Sequence, residues 1–394
     1  MRHPIRRIAL PLLAALVGAS CGAGRTETWG FVATLGNDTT SVERITRSGD
    51  HVTGEAVGRS PVVVRRRWDA TLAPDGSVRR WTMDSHLPNA PAGETDLHHE
   101  LIFSGNSVRV IRRAGRDTSD RTYVNIYART VPWNAFLYAT FEGLLQAARG
   151  LPDSTHIGQY FFEGWDEGHF GYALLRRLGN GDVSISSTGL AGSGVAHLDA
   201  QGNLLSYSGA GTTYKQEVRR VTDVPDIGAL VLRFAAEERA GGFSRWLSRR
   251  DTVRATIGRA AITVDYGRPL ARGRTLVGGL IPYDQVWRTG ANAATQVTFS
   301  GPVRLAGVPL HAGTYTLWTL PTRDGVQLII NGQTGQWGTD YRSAQDVARR
   351  PLQVATTDTL VERFTIRVDT ASASLVMEWG SFRWSAPIHP SAVP

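Results

Sequence analysis

Apolar and polar residues alternate with a period of two along most of this chain, in short runs broken by Gly, Pro, Asn and Asp. That period puts successive side chains on opposite faces of a β-strand. VVVRRRWDATL (62–72) and SVRRWTM (77–83) flank Ala73-Pro74-Asp75-Gly76, where Pro presets φ and Gly accepts a positive φ. LIFS and SVRVI (101–111) flank Gly105-Asn106, and HLDAQGNLLSY (197–207) turns in the same way, so three hairpins are predicted. The pattern lengthens twice. PWNAFLYATFEGLLQAARG (132–150) predicts a helix with Asn134 as N-cap and Gly150 past its end; its apolar residues go most of the way round, as expected beneath a sheet. PDIGALVLRFAAEERAGG (225–242) predicts a second helix, capped by Asp226 and stopped at Gly241, with Ile227, Leu230, Val231 and Phe234 on one face. From Asp251 onward nine short strands are predicted: TVRATI, AITVDY, ATQVTF, VRLAG, TYTLWTL, VQLIIN, RFTIRV, SLVMEW and SFRWSAPI. Their turn spacing is that of a sandwich or jelly roll. TYTLW sets Tyr315, Leu317 and Thr319 on one face and Trp318 on the other.

The expected fold class is therefore mainly β. A curved antiparallel sheet with one or two helices occupies residues 27–240, and a jelly-roll-like β-sandwich residues 251–388, with a linker at 241–250 and a tail at 389–394. Hydrophobic residues make up 41% of the chain, enough for two ordinary cores.

The N-terminus alters the picture. Met1–Arg7 is basic, Ile8–Val17 apolar, and Gly18-Ala19-Ser20-Cys21 follows, which has the length and order of a secretory signal over residues 1–20. Cys21 is the sole cysteine, so an internal disulfide is impossible. A lone Cys at that place resembles the bacterial lipobox, which implies lipidation of Cys21, a tether at 21–26, and attachment to a membrane by acyl chains. Gly18 stands where an aliphatic residue is usual in that pattern, and cleavage to a soluble secreted product is the alternative. Gly22 in place of Asp lacks the inner-membrane retention signal, so the expected location is the periplasmic side of the envelope, on the outer rather than the inner membrane. The formal charge is +8, but the basic residues are nearly all scattered Arg, with Lys215 the only Lys. Dispersed charge of this kind argues against a nucleic-acid partner.

Six blocks carry a resemblance: SRRDTVRATIG (248–258), DYGRPLARGR (265–274), GGLIPYDQVWRTGANAATQVTFS (278–300), LHAGTYTLWTLP (310–321), IINGQTGQWG (329–338) and MEWGSFRWSAPI (377–388). Together they resemble a bacterial family of secreted and lipid-anchored proteins known only as a domain of unknown function, with GGxxPYxxxWRxGAN and NGxxGQWG as its motifs. The resemblance implies an all-β domain outside the cytoplasm over about 248–388 and no established activity. The first unit has a curved-sheet-plus-helix pattern loosely similar to envelope lipid-carrier lipoproteins.

Within VWRTGANAAT (286–295), Trp287, Arg288 and Asn292 follow Tyr283. A guanidinium fork, an amide and flat aromatics suit an anionic, glycan or peptide ligand. The structural reading of the same residues has Gly290 supplying a positive φ, Asn292 accepting a left-handed conformation, and Arg288 paired with a carboxylate such as Asp265 or Asp284. Asn331 and Trp337 form a second amide-and-Trp cluster that strengthens the binding reading if it faces the first; Arg268 and Arg274 are further candidates. DLHHE (96–100) places His98 and His99 on opposite faces of a strand, which does not make a metal site. Glu163, Asp166, Glu167 and His169 fall in a Gly-rich turn expected to be a solvated loop. Ser193 in LAGSGVAH lacks the spacing of a nucleophile elbow. No catalytic residue, cofactor or metal is expected. The sequence points to a membrane-anchored binding or scaffold protein, either an accessory subunit of an envelope membrane complex or a glycan or peptide binder. The alternative is a lipid carrier or hydrolase with its pocket in the first unit.

Overall fold

The computed structural model describes residues 26–59, 62–91, 96–105, 107–124, 127, 129–162, 168–188, 190–241 and 248–391. The leader, Cys21 and the tether up to residue 25 lie outside the described residues, as do Asn106, Glu163, Asp166 and Glu167 and the linker residues 242–247.

Fifteen strands in the first part form one sheet. They are β1 Thr26–Leu35, β2 Asp38–Ser48, β3 His51–Gly58, β4 Val64–Leu72, β5 Val78–His86, β6 Asp96–Ser104, β7 Ser107–Ala114, β8 Asp117–Val124, β9 Thr130–Trp133, β10 Ser154–Phe161, β11 His169–Arg177, β12 Val183–Ser187, β13 Leu190–Leu198, β14 Leu204–Ser208 and β15 Glu217–Val221. The order is β8-β7-β6-β5-β4-β3-β2-β1-β15-β14-β13-β12-β11-β10-β9, so two meanders join where β1 pairs with β15. Each step is antiparallel except β9 against β10, which is parallel. The sheet curls until its ends meet: Tyr123 of β8 lies 5.7 Å from the ring of Tyr160 on β10 and 6.1 Å from Phe170 on β11.

Two helices use opposite faces of this sheet. α1 (Tyr138–Ala147) fills the concave side, burying Tyr138, Phe141, Leu144 and Leu145 among inward residues such as Phe31, Ile45, Trp68, Trp81 and Leu101. α2 (Ile227–Arg239) covers the convex side, where Ile227, Val231 and Phe234 meet Val32, Val42 and Val57. Asp226 caps α2 by accepting from the Ala229 amide at 3.0 Å, and Gly241 follows at φ +74°. The helix expected over 132–150 is shorter than its apolar pattern. Thr130–Trp133 is instead the parallel strand β9, and Asn134 is not the N-cap: its Oδ1 accepts from the Phe136 amide at 2.9 Å in a turn before the helix, whose N-cap position is Leu137. Pro132 has no N–H to lose in an edge strand, and a buried Trp133 satisfies a strand as well as a helix.

Leu137 has no side-chain acceptor, so the start of α1 is satisfied from the sheet. Glu43 of β2 reaches in and accepts from the amides of Tyr138 (2.7 Å) and Ala139 (3.1 Å) and from Trp68 Nε1 (3.0 Å). A carboxylate here meets the positive end of a helix, yet it is fully enclosed. Burial outweighs the three donors and raises the Glu43 pKa to about 7. Close packing beside it requires one glycine: a Cβ on Gly54 would overlap the indole of Trp68, which itself stacks on Trp81 at 4.4 Å.

The second part is a sandwich. One sheet has the order β16-β17-β18-β21-β22-β23, from β16 Arg249–Ile257, β17 Ala260–Arg268, β18 Thr295–Phe299, β21 Gly313–Thr322, β22 Gly325–Asn331 and β23 Asp346–Pro351. The other has the order β20-β19-β25-β24, from β19 Val303–Leu305, β20 Val308–Leu310, β24 Gln353–Asp369 and β25 Ser374–Pro390. Ile262, Val264, Val297 and Leu328 of the first sheet pack on Phe364, Ile366, Met377 and Trp379 of the second. The segments SLVMEW and SFRWSAPI are one strand, β25, bent at Gly380 (φ +56°). β23, DVARRP, has no apolar alternation because it is an exposed edge closed by Pro351.

Candidate functional site

The eight residues singled out in the second unit separate by environment. Arg268, on β17, is held by its own fold: Nη1 donates to Asp251 at 2.8 Å, Nη2 to Thr365 Oγ1 at 2.9 Å, and Nε to the Phe364 carbonyl at 3.1 Å. Asn331 is fully buried and donates to Asp346 (2.8 Å) and to the Arg342 carbonyl (3.0 Å). Asp346 also accepts from Tyr341 and Arg349; burial, then the Asp346 carboxylate, push the Tyr341 hydroxyl up to about 12. Trp287 is half-buried against Phe364, Trp379 and Trp384, with ring separations of 5.2, 5.9 and 6.2 Å. These three groups hold the sandwich together. Tyr283 lies beside the Arg323 guanidinium (5.5 Å), in the turn whose Asp284 amide donates to the Pro321 carbonyl.

The other four converge with a residue from the first unit. The loop 332–338 lies directly on 288–293: Ala293 and Trp337 form a bridge, and the Gly338 amide donates to the Asn292 carbonyl at 3.0 Å. A Cβ on Gly338 would overlap the Arg288 side chain, so only glycine lets this loop close over the guanidinium. Trp337 remains 54% exposed beside it. Arg288 is half-buried, and its one hydrogen bond among the described residues runs from Nη1 to the Asn292 carbonyl at 3.3 Å. Neither Asp265 nor Asp284 reaches it: Asp265 pairs with Arg250 at 2.8 Å. Asn292 donates to the Ser248 carbonyl at 3.2 Å. Arg274 turns its Nε and Nη2 onto the carbonyls of Ala271 (3.0 Å) and Leu270 (2.7 Å). Lys215 lies in the loop between β14 and β15, its Nζ 2.9 Å from the Ala210 carbonyl, and the pairing of Thr34 with Glu217 sets that loop beside the β1–β2 turn. Burial first, then Arg288 and Arg274, hold the Lys215 ammonium below its ordinary pKa; burial does the same to both arginines. None of the three cations makes an ion pair with a described carboxylate. Glu362 is the carboxylate that acts on Arg274, and its Oε1 already accepts from the Arg272 amide at 2.9 Å.

The backbone around this cluster is strained. Lys215, Arg272, Thr289 and Asn292 adopt left-handed conformations, with φ of +51°, +53°, +52° and +63°. Gly290 has the positive φ expected of it (+157°), and the buried, β-branched Thr289 before it also takes a left-handed conformation. Such residues cost on the order of 1–3 kcal/mol each and persist where the surroundings over-determine them. Thr289 is fixed by Thr295 Oγ1, which donates to its carbonyl at 2.6 Å. Arg272 is fixed by the Asn37 amide, which donates to its carbonyl at 3.0 Å, and by an ion pair with Asp38.

The unit that carries this loop pair matches the family described as a protein of unknown function, DUF2911, over residues 248–388. Residues 248–388 are a DUF2911 domain. Arg274, Arg288, Asn292 and Trp337 thus belong to the DUF2911 domain, and Lys215 approaches it from outside. No curated protein matches the chain. Among solved structures, the chain is similar to a DUF1089 family protein from Pseudomonas aeruginosa, with 15% identity over 44% of this chain and 91% of that one, at a TM-score of 0.34. It is also similar to a β-barrel-like protein of the DUF1849 family from Brucella abortus, with 9% identity over 51% of this chain and 97% of that one, at a TM-score of 0.30.

Elsewhere His and carboxylate groups form separate pairs. His98 meets Asp84 (2.7 Å) and His86 meets Asp96 (2.7 Å) on the outer face of β5 and β6, while His99 points inward beside Phe162. His197 meets Asp182 at 2.8 Å, and Ser206, its cross-strand neighbour, makes no hydrogen bond to it. Ser193 lies within β13, its Oγ 2.5 Å from Ser186 Oγ. Among the described residues no three His, Cys, Asp or Glu side chains are placed to hold a metal ion, and no helix is long and apolar enough to cross a membrane.

Proposed function

We propose that this chain is a lipid-anchored protein of the periplasmic envelope that works by binding rather than by chemistry, through the paired loops 286–293 and 332–338 of its DUF2911 domain. One observation carries the reading: a half-buried Arg288 guanidinium with no carboxylate partner among the described residues lies under Gly338, beside an exposed Trp337. Removing a cation from water without a counter-charge is unfavourable, so a site left this way is one that a ligand completes. An exposed indole next to it offers a flat face for a sugar ring or a side chain of a partner.

The leader-like segment ending at Cys21 and the GGxxPYxxxWRxGAN and NGxxGQWG motifs support the envelope location, on the outer rather than the inner membrane. An anchored binder of this kind serves as an accessory or scaffold subunit of a membrane complex, or as a glycan or peptide receptor. A carrier reading finds little support in the concave face of the first sheet, because α1 and its aromatic neighbours occupy it. Purification from native membranes in mild detergent tests the proposal. The wild type is expected to retain a companion molecule that the Arg288→Ala, Asn292→Ala pair loses. Elution alone, with no difference between the two, would remove the binding assignment.

A further inference from the structure

The DUF2911 domain and the first sheet meet along a seam. The β1–β2 turn supplies Gly36, Asn37 and Asp38, which seat against the Leu270–Arg274 turn through the Asn37 amide and the Asp38–Arg272 ion pair. Lys215 comes to this contact from the first unit: β1 pairs with β15 with Thr34 opposite Glu217, so the chain before Glu217 runs beside Gly36, which abuts the Arg272 carbonyl. Arg274 and Arg288 come from the second unit, and the charges of both act on Lys215. Glu362 offsets one charge, so at least two remain unmatched by described carboxylates in a half-buried space. Their donors are also incompletely used. Arg288 Nε and Nη2 and Arg274 Nη1 have no hydrogen-bond acceptor among the described residues, and Lys215 has one carbonyl for three N–H groups. Four left-handed residues, Lys215, Arg272, Thr289 and Asn292, hold these side chains in place.

Resting on the binding reading above, we propose that Lys215, Arg274 and Arg288 form a site for a doubly charged tetrahedral oxyanion of the phosphate class, clamped between the two units. A carboxylate carries one charge and leaves the cluster unbalanced. A phosphate monoester carries close to two, with three strong acceptor oxygens for donors arriving from different directions. Because the cations come from both units, the anion also ties the first sheet to the DUF2911 domain. Free phosphate compounds and phosphorylated lipid headgroups share this chemistry.

Calorimetric titration of the purified mature protein with inorganic phosphate at low salt tests the site. Saturable binding of one phosphate per chain is expected, weakened at least about tenfold by Lys215→Gln and by Arg288→Gln and restored by Lys215→Arg. Acetate at equal ionic strength is expected to bind at least about tenfold more weakly than phosphate. Phosphatidylcholine vesicles with and without phosphatidic acid then separate the sources. Binding only to the acidic vesicles, displaced by phosphate, assigns a headgroup; phosphate binding without vesicle binding assigns a soluble ligand. Circular dichroism at each step establishes that the variants are folded. If phosphate fails to bind the folded wild type, the oxyanion site is wrong. A companion still retained from membranes and lost in the Arg288→Ala, Asn292→Ala pair would then leave the binding reading standing, whereas loss of both results would end both.

Discussion

Replacing Glu43 by Gln probes the joint on which the first unit depends. Glu43 enters the concave side of the sheet and receives two amides of α1 and the indole N–H of Trp68. Its folded pKa of about 7 lies above the ordinary 4.5 because it is enclosed, and Glu142 adds a smaller repulsion. The folded state therefore holds the proton to higher pH than the unfolded chain. The resulting stabilisation is fully present below about pH 4.5 and is lost as pH rises through about 7. At about 1.4 kcal/mol per pKa unit, the swing is on the order of 3 kcal/mol. Glutamine does not titrate, and its NH₂ meets donors where the carboxylate had acceptors, so it costs about 1–2 kcal/mol at acid pH. Urea unfolding followed by far-UV circular dichroism, from about pH 5 to about pH 8, gives the comparison. The gap between wild type and Glu43→Gln is expected to shift by about 3 kcal/mol in favour of Gln across that range. A gap that stays constant within about 0.5 kcal/mol would show that Glu43 does not titrate there, and the burial argument would be wrong.

Gly54→Ala drives a methyl into the Trp68 indole and is expected to cost about 1–3 kcal/mol in the same unfolding assay; a neutral result would place Trp68 elsewhere. Two arginines of the DUF2911 domain are expected to behave oppositely. Arg268→Ala strips partners from Asp251, Thr365 and the Phe364 carbonyl and loses about 2 kcal/mol, whereas Arg288→Gln removes an unmatched charge and leaves stability unchanged or raised by up to about 1 kcal/mol. Equal losses at both positions, measured by chemical denaturation, would mean that Arg288 is structural.

Turn chemistry made the hairpins readable, because Pro-Asp-Gly at 74–76 and Asp199 with Gly202 fix their turns locally. The Asp226 cap and the apolar face of α2 were readable for the same reason. The start of α1 was not, since a four-residue parallel strand carries too little alternation to compete with an apolar run. Nor was its cap: Glu43 is far away in sequence, and the contact exists only because β2 passes under the helix. The merging of the last two predicted strands into β25 hid behind Gly380, which reads as a turn but serves as a bend. Within the site, Arg288, Asn292 and Trp337 stand out in the sequence because Trp, Arg and amides rarely crowd into strand-like segments without reason. Arg268 and Asn331 carry the same residue types but are consumed by internal bonds, a distinction that only packing makes. Lys215 had one signal, its being the sole lysine, and nothing local connects it to Arg288.

Diffraction from crystals of the mature protein soaked in selenate tests the central claim most directly, because a heavy tetrahedral dianion reports its own position. The account predicts an anomalous peak within hydrogen-bonding reach of Lys215 Nζ and the Arg288 guanidinium, between the first sheet and the DUF2911 domain. Peaks elsewhere with none at that seam, or a carboxylate of the chain itself found seated on those cations, would contradict it.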